Sequence, residues 1–296
     1  RLRVYKWLGG IWLSGVGNLR KIHLCRKTLL HPVSMCGPSV TSRGNRLLLG
    51  FTKPGTHRVR FLHSDDGIRF SGRISPGIHS SYPVALTVYR NRFIVAWSEL
   101  TDGHISLRFS DNGRDWSGKI SSGECSFFSP SLAATEDNLF MSWVEPGSGR
   151  ICLMQSSDGT SWQNKCILDE TATSAPAIAS YNGKLRVAWN EPGNRLCTMT
   201  TVDGSSTAHK QMIDNSSGSQ PFLHIHSGRL YLAWSRGSDR RLNIIESADG
   251  ISYTGRLVLR ETSPDRPALA TLNDELVWFW QRGTKRPGLG MLTYTV

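Results

Sequence analysis

Pro176-Ala-Ile-Ala-Ser180-Tyr181-Asn182-Gly183-Lys184-Leu185-Arg186-Val187-Ala188-Trp189 reads as two short strands joined by a tight turn. A proline that opens a strand removes no needed ladder bond, and Tyr-Asn-Gly is turn chemistry. Working outward, the same prolines stand at Pro38, Pro83, Pro130, Pro176, Pro221 and Pro267, at intervals of 45, 47, 46, 45 and 46. The strand-ending aromatic stands at Phe51, Trp97, Trp143, Trp189, Trp234 and Trp280, at intervals of 46, 46, 46, 45 and 46. A third marker, Ser/Thr-x-Asp/Asn-Gly, begins at Ser64, Ser110, Ser156, Thr201 and Ser247, at intervals of 46, 46, 45 and 46. Three markers held in register are a repeat architecture.

Each unit continues through a Pro/Gly loop (Pro192-Gly193-Asn194) into a third strand, and through the Asp/Gly turn into a fourth. Four strands per unit is the signature of a propeller blade. The predicted fold is therefore all-β, a six-bladed β-propeller of four-stranded blades. The last unit stops after its third strand, because its turn would fall at Thr293. At the other end Leu24 takes the place of Trp162, and Cys25–Leu30 aligns with Gln163–Leu168. The N-terminal strand is thus expected to complete the C-terminal blade and remove the exposed edges. Residues 24–296 form one propeller domain; residues 1–23 are an N-terminal basic arm outside the repeat. That arm is a decayed blade remnant, a segment packed on the propeller or a basic anchor.

The chain has 296 residues, 39% hydrophobic and 20% charged, which suits a globular protein. It holds no apolar run of the ~18 residues that a membrane span needs. It opens on Arg1 rather than Met, consistent with an upstream segment, a signal peptide included, having been removed or left out. The net charge is +12, of which residues 1–23 supply +5. Such a surface favours anionic partners: acidic glycans, nucleic acid or anionic lipid; solubility alone is the plainer reading. Six cysteines show neither a CxxC nor a metal-finger spacing. Cys152 and Cys197 fall at equivalent positions of neighbouring units, too far apart to pair, so buried free thiols are expected. The compartment stays open between an extracellular location that does not rely on disulfides and the cytoplasm.

Ser64-Asp-Asp66-Gly67-Ile-Arg-Phe70, Ser110-Asp-Asn112-Gly113-Arg-Asp-Trp116 and Ser156-Ser-Asp158-Gly159-Thr-Ser-Trp162 resemble the turns of the Asp-box (sialidase-like) propellers. Thr201-Val-Asp203-Gly204 and Ser247-Ala-Asp249-Gly250-Ile-Ser-Tyr253 extend the set, although these turns are one residue shorter than the family form and the fourth ends in Thr207. The resemblance implies a turn between third and fourth strands, away from the ligand face, where Asp caps amides and the aromatic packs between blades. It implies architecture, not catalysis. A sialidase of that family needs an arginine triad, a Tyr–Glu nucleophile pair and an acidic Asp. Its Arg-Ile-Pro element is replaced here by Pro38-Ser-Val-Thr.

The resemblance also places the ligand face at the loops from second to third strand. Two residues after each aromatic stand Lys53, Glu99, Glu145, Glu191, Arg236 and Arg282. They form either a polar bowl for a sugar or other polyol, or strand-end charges paired across blades. A rim radius on the order of 10 Å excludes a retaining carboxylate pair but permits an inverting one, Glu99/Glu145 or Glu145/Glu191. The strand-two aromatics are expected in the inter-blade core, leaving Tyr82, Phe127 and Phe128 in blade-to-blade loops as stacking candidates. His224 and His226 share one strand face and read as a channel-lining polar pair; no cofactor or metal site is expected. Arg26, Lys27, Arg282, Lys285 and Arg286, with Arg1, Arg3 and Lys6, form a basic seam for an anionic polymer or a protein partner. No nucleic-acid motif accompanies it.

The leading expectation is a non-catalytic, carbohydrate-binding, lectin-like propeller, with Lys53, Tyr82, Glu99, Glu145, Glu191, Arg236 and Arg282 as ligand contacts. The alternatives are a sialidase-like glycoside hydrolase and a scaffold subunit docking through the basic seam.

Overall fold

A computed structural model describes residues 4–5, 23–214, 216–283 and 288–295. Among these, every regular element is a strand, and the strands form six antiparallel sheets. Blades 1 to 5 occupy 39–74, 85–125, 131–171, 177–214 and 222–262, each sheet holding its four strands in chain order. Blade 6 combines Ala268–Leu272, Glu275–Gln281 and Leu289–Thr295 with His23–Leu30 from the other end of the chain. His23–Leu30 runs antiparallel to Leu289–Thr295, with Lys27 opposite Leu292 and Leu30 opposite Leu289. The ring is closed by strand exchange between the chain ends, as the repeat arithmetic requires. A two-residue strand, Val4–Tyr5, adds to the outside of His23–Leu30 with Val4 opposite Thr28. The remainder of the basic arm, Arg1, Arg3 and Lys6 included, lies outside the described residues, as do Lys285 and Arg286.

The strands differ by their place in the blade. Second strands are covered on both faces, so they read as continuous apolar runs; every residue of Leu139–Val144 is buried. First strands converge on the axis and carry small side chains there, such as Ala85, Ala133, Ala177 and Ala179. Trp97, Trp143, Trp189 and Trp234 are all at most 1% exposed and fill the space between blades. Burial of an aromatic of this size supplies several kcal/mol per blade, of the order of ~3–5.

The Asp/Gly turns are built as their chemistry demands. Asp158 Oδ1 accepts from the amides of Thr160 and Ser161, and Ser156 Oγ accepts from the amide of Gly159. Asp66, Asn112 and Asp249 repeat this pattern of two capped amides. These backbone hydrogen bonds hold the Asp66, Asp158 and Asp249 carboxyls below the usual range. Gly159 has φ +83°, a left-handed conformation that a side chain would strain. Phe70, Trp116, Trp162 and Tyr253 then pack against core clusters between blades.

The fourth strands carry a repeated irregularity. In blades 1, 3, 4 and 5 the register shifts by a bulge at Gly72, Asn164, His209 and Gly255, each with positive φ. The next residue is a cation every time: Arg73, Lys165, Lys210 and Arg256. A bulge re-aims the side chain that follows it. That aim builds the site.

Candidate functional site

The bulged strands of blades 3, 4 and 5 turn their cations toward the neighbouring blade. Lys165 Nζ of blade 3 donates to Glu124 Oε2 of blade 2 at 2.8 Å. Lys210 of blade 4 donates to Glu170 of blade 3 at 2.7 Å. Arg256 of blade 5 lies 2.7 Å from Asp214 of blade 4, and Lys27 of blade 6 pairs with Glu261 of blade 5. Four of the six inter-blade clefts therefore carry an acid–base pair made from two different blades.

The strand-two acids join the same clefts. Glu145 lies 3.5 Å from Lys165 and accepts from Ser148 Oγ at 2.9 Å. Glu191 Oε1 lies 2.7 Å from Lys210, with Arg195 3.0 Å from its other oxygen. Burial alone would raise the Glu191 carboxyl, but the Lys210 hydrogen bond and charge hold it below the usual range. The hydrogen bond to Glu124 is the largest influence on Lys165 and raises it. Between blades 1 and 2 the set is smaller: Glu99 pairs with Lys119 at 3.1 Å.

Each cleft has an apolar floor and wall. Trp143, Cys152 and Ile167 stand opposite one another across three strands, so their side chains share a face. Trp189, Cys197 and Met212 do the same, and so do Trp234, Asn243 and Val258. Lys165, Lys210 and Arg256 lie over the Trp143, Trp189 and Trp234 rings at 5.5, 5.7 and 5.2 Å. Ile167, Met212 and Val258 are 42%, 58% and 41% exposed, which leaves an apolar surface beside each cation. Burial pushes the Cys152 and Cys197 thiols up to about 12 and about 11, so both remain protonated packing groups. Among the described residues five cysteines are free.

The other sequence-predicted residues lie around the same face. Arg236 Nε donates to Ser216 Oγ at 3.3 Å, with its guanidinium 3.8 Å from Asp239. The Arg282 amide donates to Gly288 O at 2.9 Å, and Lys53 is exposed. Tyr82 packs against Phe128 at 6.1 Å between ring centroids, while Phe127 is exposed beside Gly103. None of these side chains lines the central channel, a cavity of about 300 Å³ bounded by the first strands. The structure thus gathers Glu99, Glu145 and Glu191 into separate clefts, each on its own lysine. The other charged members of those clefts, Glu124, Glu170, Lys165 and Lys210, are not among the residues the sequence reading names. The spacing of Lys119, Lys165, Lys210 and Arg256, at 46, 45 and 46, is the signal that could have found them.

His224 and His226 both face Thr271 of blade 6, each with a ring nitrogen 3.0 Å from its Oγ1. Burial, with His226 alongside, pulls His224 down to about 3, so it is neutral. In the basic seam, Arg26 donates to Gly67 O at 2.9 Å and Lys27 is held by Glu261.

No protein-family model matches the chain, and no curated protein matches it. Solved structures do. A fungal lectin from Aleuria aurantia, a six-bladed β-propeller described with a novel fucose recognition mode, is similar at a TM-score of 0.66 and 13% identity, over 90% of this chain and 92% of the lectin. The SapL1 lectin, solved with alpha methyl fucoside, gives a TM-score of 0.66 at 16% identity, over 87% of this chain and 92% of its own. Trypanosoma rangeli sialidase gives 0.63 at 14% identity, with all of this chain (100%) covering 59% of the sialidase. The likeness is one of fold.

Proposed function

We propose that this propeller is a non-catalytic carbohydrate-recognition protein that binds sugars in its inter-blade clefts. The carrying observation is the repeated constellation of a cation over tryptophan, a carboxylate from the preceding blade and an exposed apolar side chain. A pyranose offers hydroxyls that donate and accept in fixed directions, together with an apolar C–H face. Carboxylates accept from such hydroxyls and an ammonium or guanidinium donates to them. Glu145 with Lys165 and Glu124, and Glu191 with Lys210 and Glu170, supply both roles. Glu99 serves a third cleft, and Arg236, Arg282 and Lys53 supply cations at the others, with Tyr82 as an aromatic contact. Lectins of this fold that bind fucose, as their descriptions state, make a deoxyhexose the first ligand to test. Its methyl group matches Ile167, Met212 or Val258.

The sialidase-like alternative has less support. Among the described residues, those bounding the central channel include neither a carboxylate nor a tyrosine. Among the cleft carboxylates, Glu191 and Asp214 are held below the usual range, against the effect of burial, by hydrogen bonds and neighbouring cations, opposite to the raised pKa a general acid needs.

A glycan array and an aryl-glycoside turnover assay on the same preparation test the proposal. Retention of specific glycans without turnover supports it. Steady release of the aryl group, or an array with no retained glycan, overturns it.

A further inference from the structure

Arg266 stands two residues before the first strand of blade 6 and is only 5% exposed. It lines the central channel, away from the inter-blade clefts. Its Nη2 donates to Val84 O of the blade 2 entry at 3.1 Å and approaches Ser39 Oγ of blade 1 at 3.4 Å. Its guanidinium carbon stands 5.6 Å from the centre of the Phe222 ring of blade 5. One side chain thus touches the inner ends of three other blades.

Among the described residues no carboxylate forms an ion pair with this guanidinium; the Asp265 charge acts on it without a direct contact. The neighbouring Asp265 spends its oxygens on the amides of Gly37 and Arg266, each at 2.7 Å. Arg266 Nε is buried and has no hydrogen-bond partner. A buried cation with an unused donor demands an acceptor, preferably an anionic one. The guanidinium fork matches the paired oxygens of an oxyanion better than a single spherical ion. The adjoining cavity, about 300 Å³, has room for one, and Thr41, Thr87, Ser131 and Ser180 add hydroxyl groups to its walls. Ser131 Oγ already accepts from the Ile178 amide, so its own proton is available to donate.

We propose that the central channel holds a small oxyanion of the phosphate or sulfate class on Arg266, completing the charge and hydrogen bonds where blades 5, 6, 1 and 2 meet. The anion meets the guanidinium where Arg266 borders the channel and joins blades that have no strand in common. It binds independently of any sugar.

Thermal unfolding in inorganic phosphate and in chloride, at matched pH and ionic strength, tests the site. A ligand that binds only the folded state raises Tm with its concentration. Phosphate is expected to raise Tm by several degrees over chloride in the wild type. Arg266→Gln should lose that increment, while Arg73→Gln, at an exposed arginine, should keep it. Equal Tm in both salts, or an increment retained in Arg266→Gln, overturns the proposal. If Arg266→Gln does not fold, crystals of the wild type grown with selenate decide. An anomalous peak within hydrogen-bond distance of the Arg266 guanidinium is expected, and a channel holding only water contradicts it.

Discussion

Lys165 and Glu124 are 41 residues apart and belong to different blades, yet Nζ and Oε2 are 2.8 Å apart. The bulge at Asn164 makes this possible by turning Lys165 off the regular alternation of its strand. The contact repeats with Lys210 and Glu170, and with Arg256 and Asp214. Propeller geometry thus converts one local irregularity, repeated in blades 3, 4 and 5, into a series of similar clefts.

These pairs are partly exposed, so their role in stability is small. Replacing Lys165 by Ala should change the unfolding free energy by no more than about 1 kcal/mol. Denaturant titration checks this, and a loss of several kcal/mol would show the pairs to be chiefly structural.

Trp189 is fully buried between blades and should behave differently. Trp189→Ala is expected to cost about 3–5 kcal/mol, because neighbouring strands cannot close over the void. The same denaturant series measures it, and a loss below about 1 kcal/mol would contradict the inter-blade core assigned to this residue.

Closure depends on His23–Leu30. A chain beginning at residue 31 would leave Leu289–Thr295 as a bare edge, an invitation to intermolecular pairing. Light scattering should show association, and circular dichroism should show loss of a cooperative transition. A monomeric, cooperatively folding truncate would mean that blade 6 stands on three strands.

Acid sensitivity follows from His224. Burial holds it neutral, with its pKa lowered from 6.5 to about 3. The unfolded chain therefore binds a proton that the folded chain refuses. The stabilising difference is complete above about pH 6.5 and is lost progressively as pH falls toward about 3. Wild-type Tm should drop between about pH 7.5 and about pH 5, and His224→Gln should flatten that drop. Identical pH slopes for both proteins would place the sensitivity elsewhere.

Much of this was legible in the sequence. Pro176, Trp189 and Thr201 mark one blade, and the spacing of the first two over six units and of the third over five settles blade number, strand order and the pairing of Cys25–Leu30 with the C-terminal blade. The aromatics were expected in the core and are there. The surroundings of the ring charges were harder to read. Periodicity says where Glu145 begins its side chain, but not that a bulge at Asn164 brings Lys165 against it. A bulge depends on one positive φ at Gly, Asn or His, and His209 gives no sequence warning of it. Arg266 was silent for a similar reason. Its meaning comes from distant residues, Ser39 and Val84, that meet only when the ring closes.

Calorimetric titration with alpha methyl fucoside tests most directly whether the inter-blade clefts bind sugar. Wild-type protein should bind more than one equivalent, since similar clefts recur around the ring. Lys165→Ala and Lys210→Ala should each remove about one equivalent, at unchanged affinity for the rest, because separated sites act independently. Stoichiometry and affinity untouched in the double variant, with sugar still bound, would put the ligand outside these clefts and contradict the account.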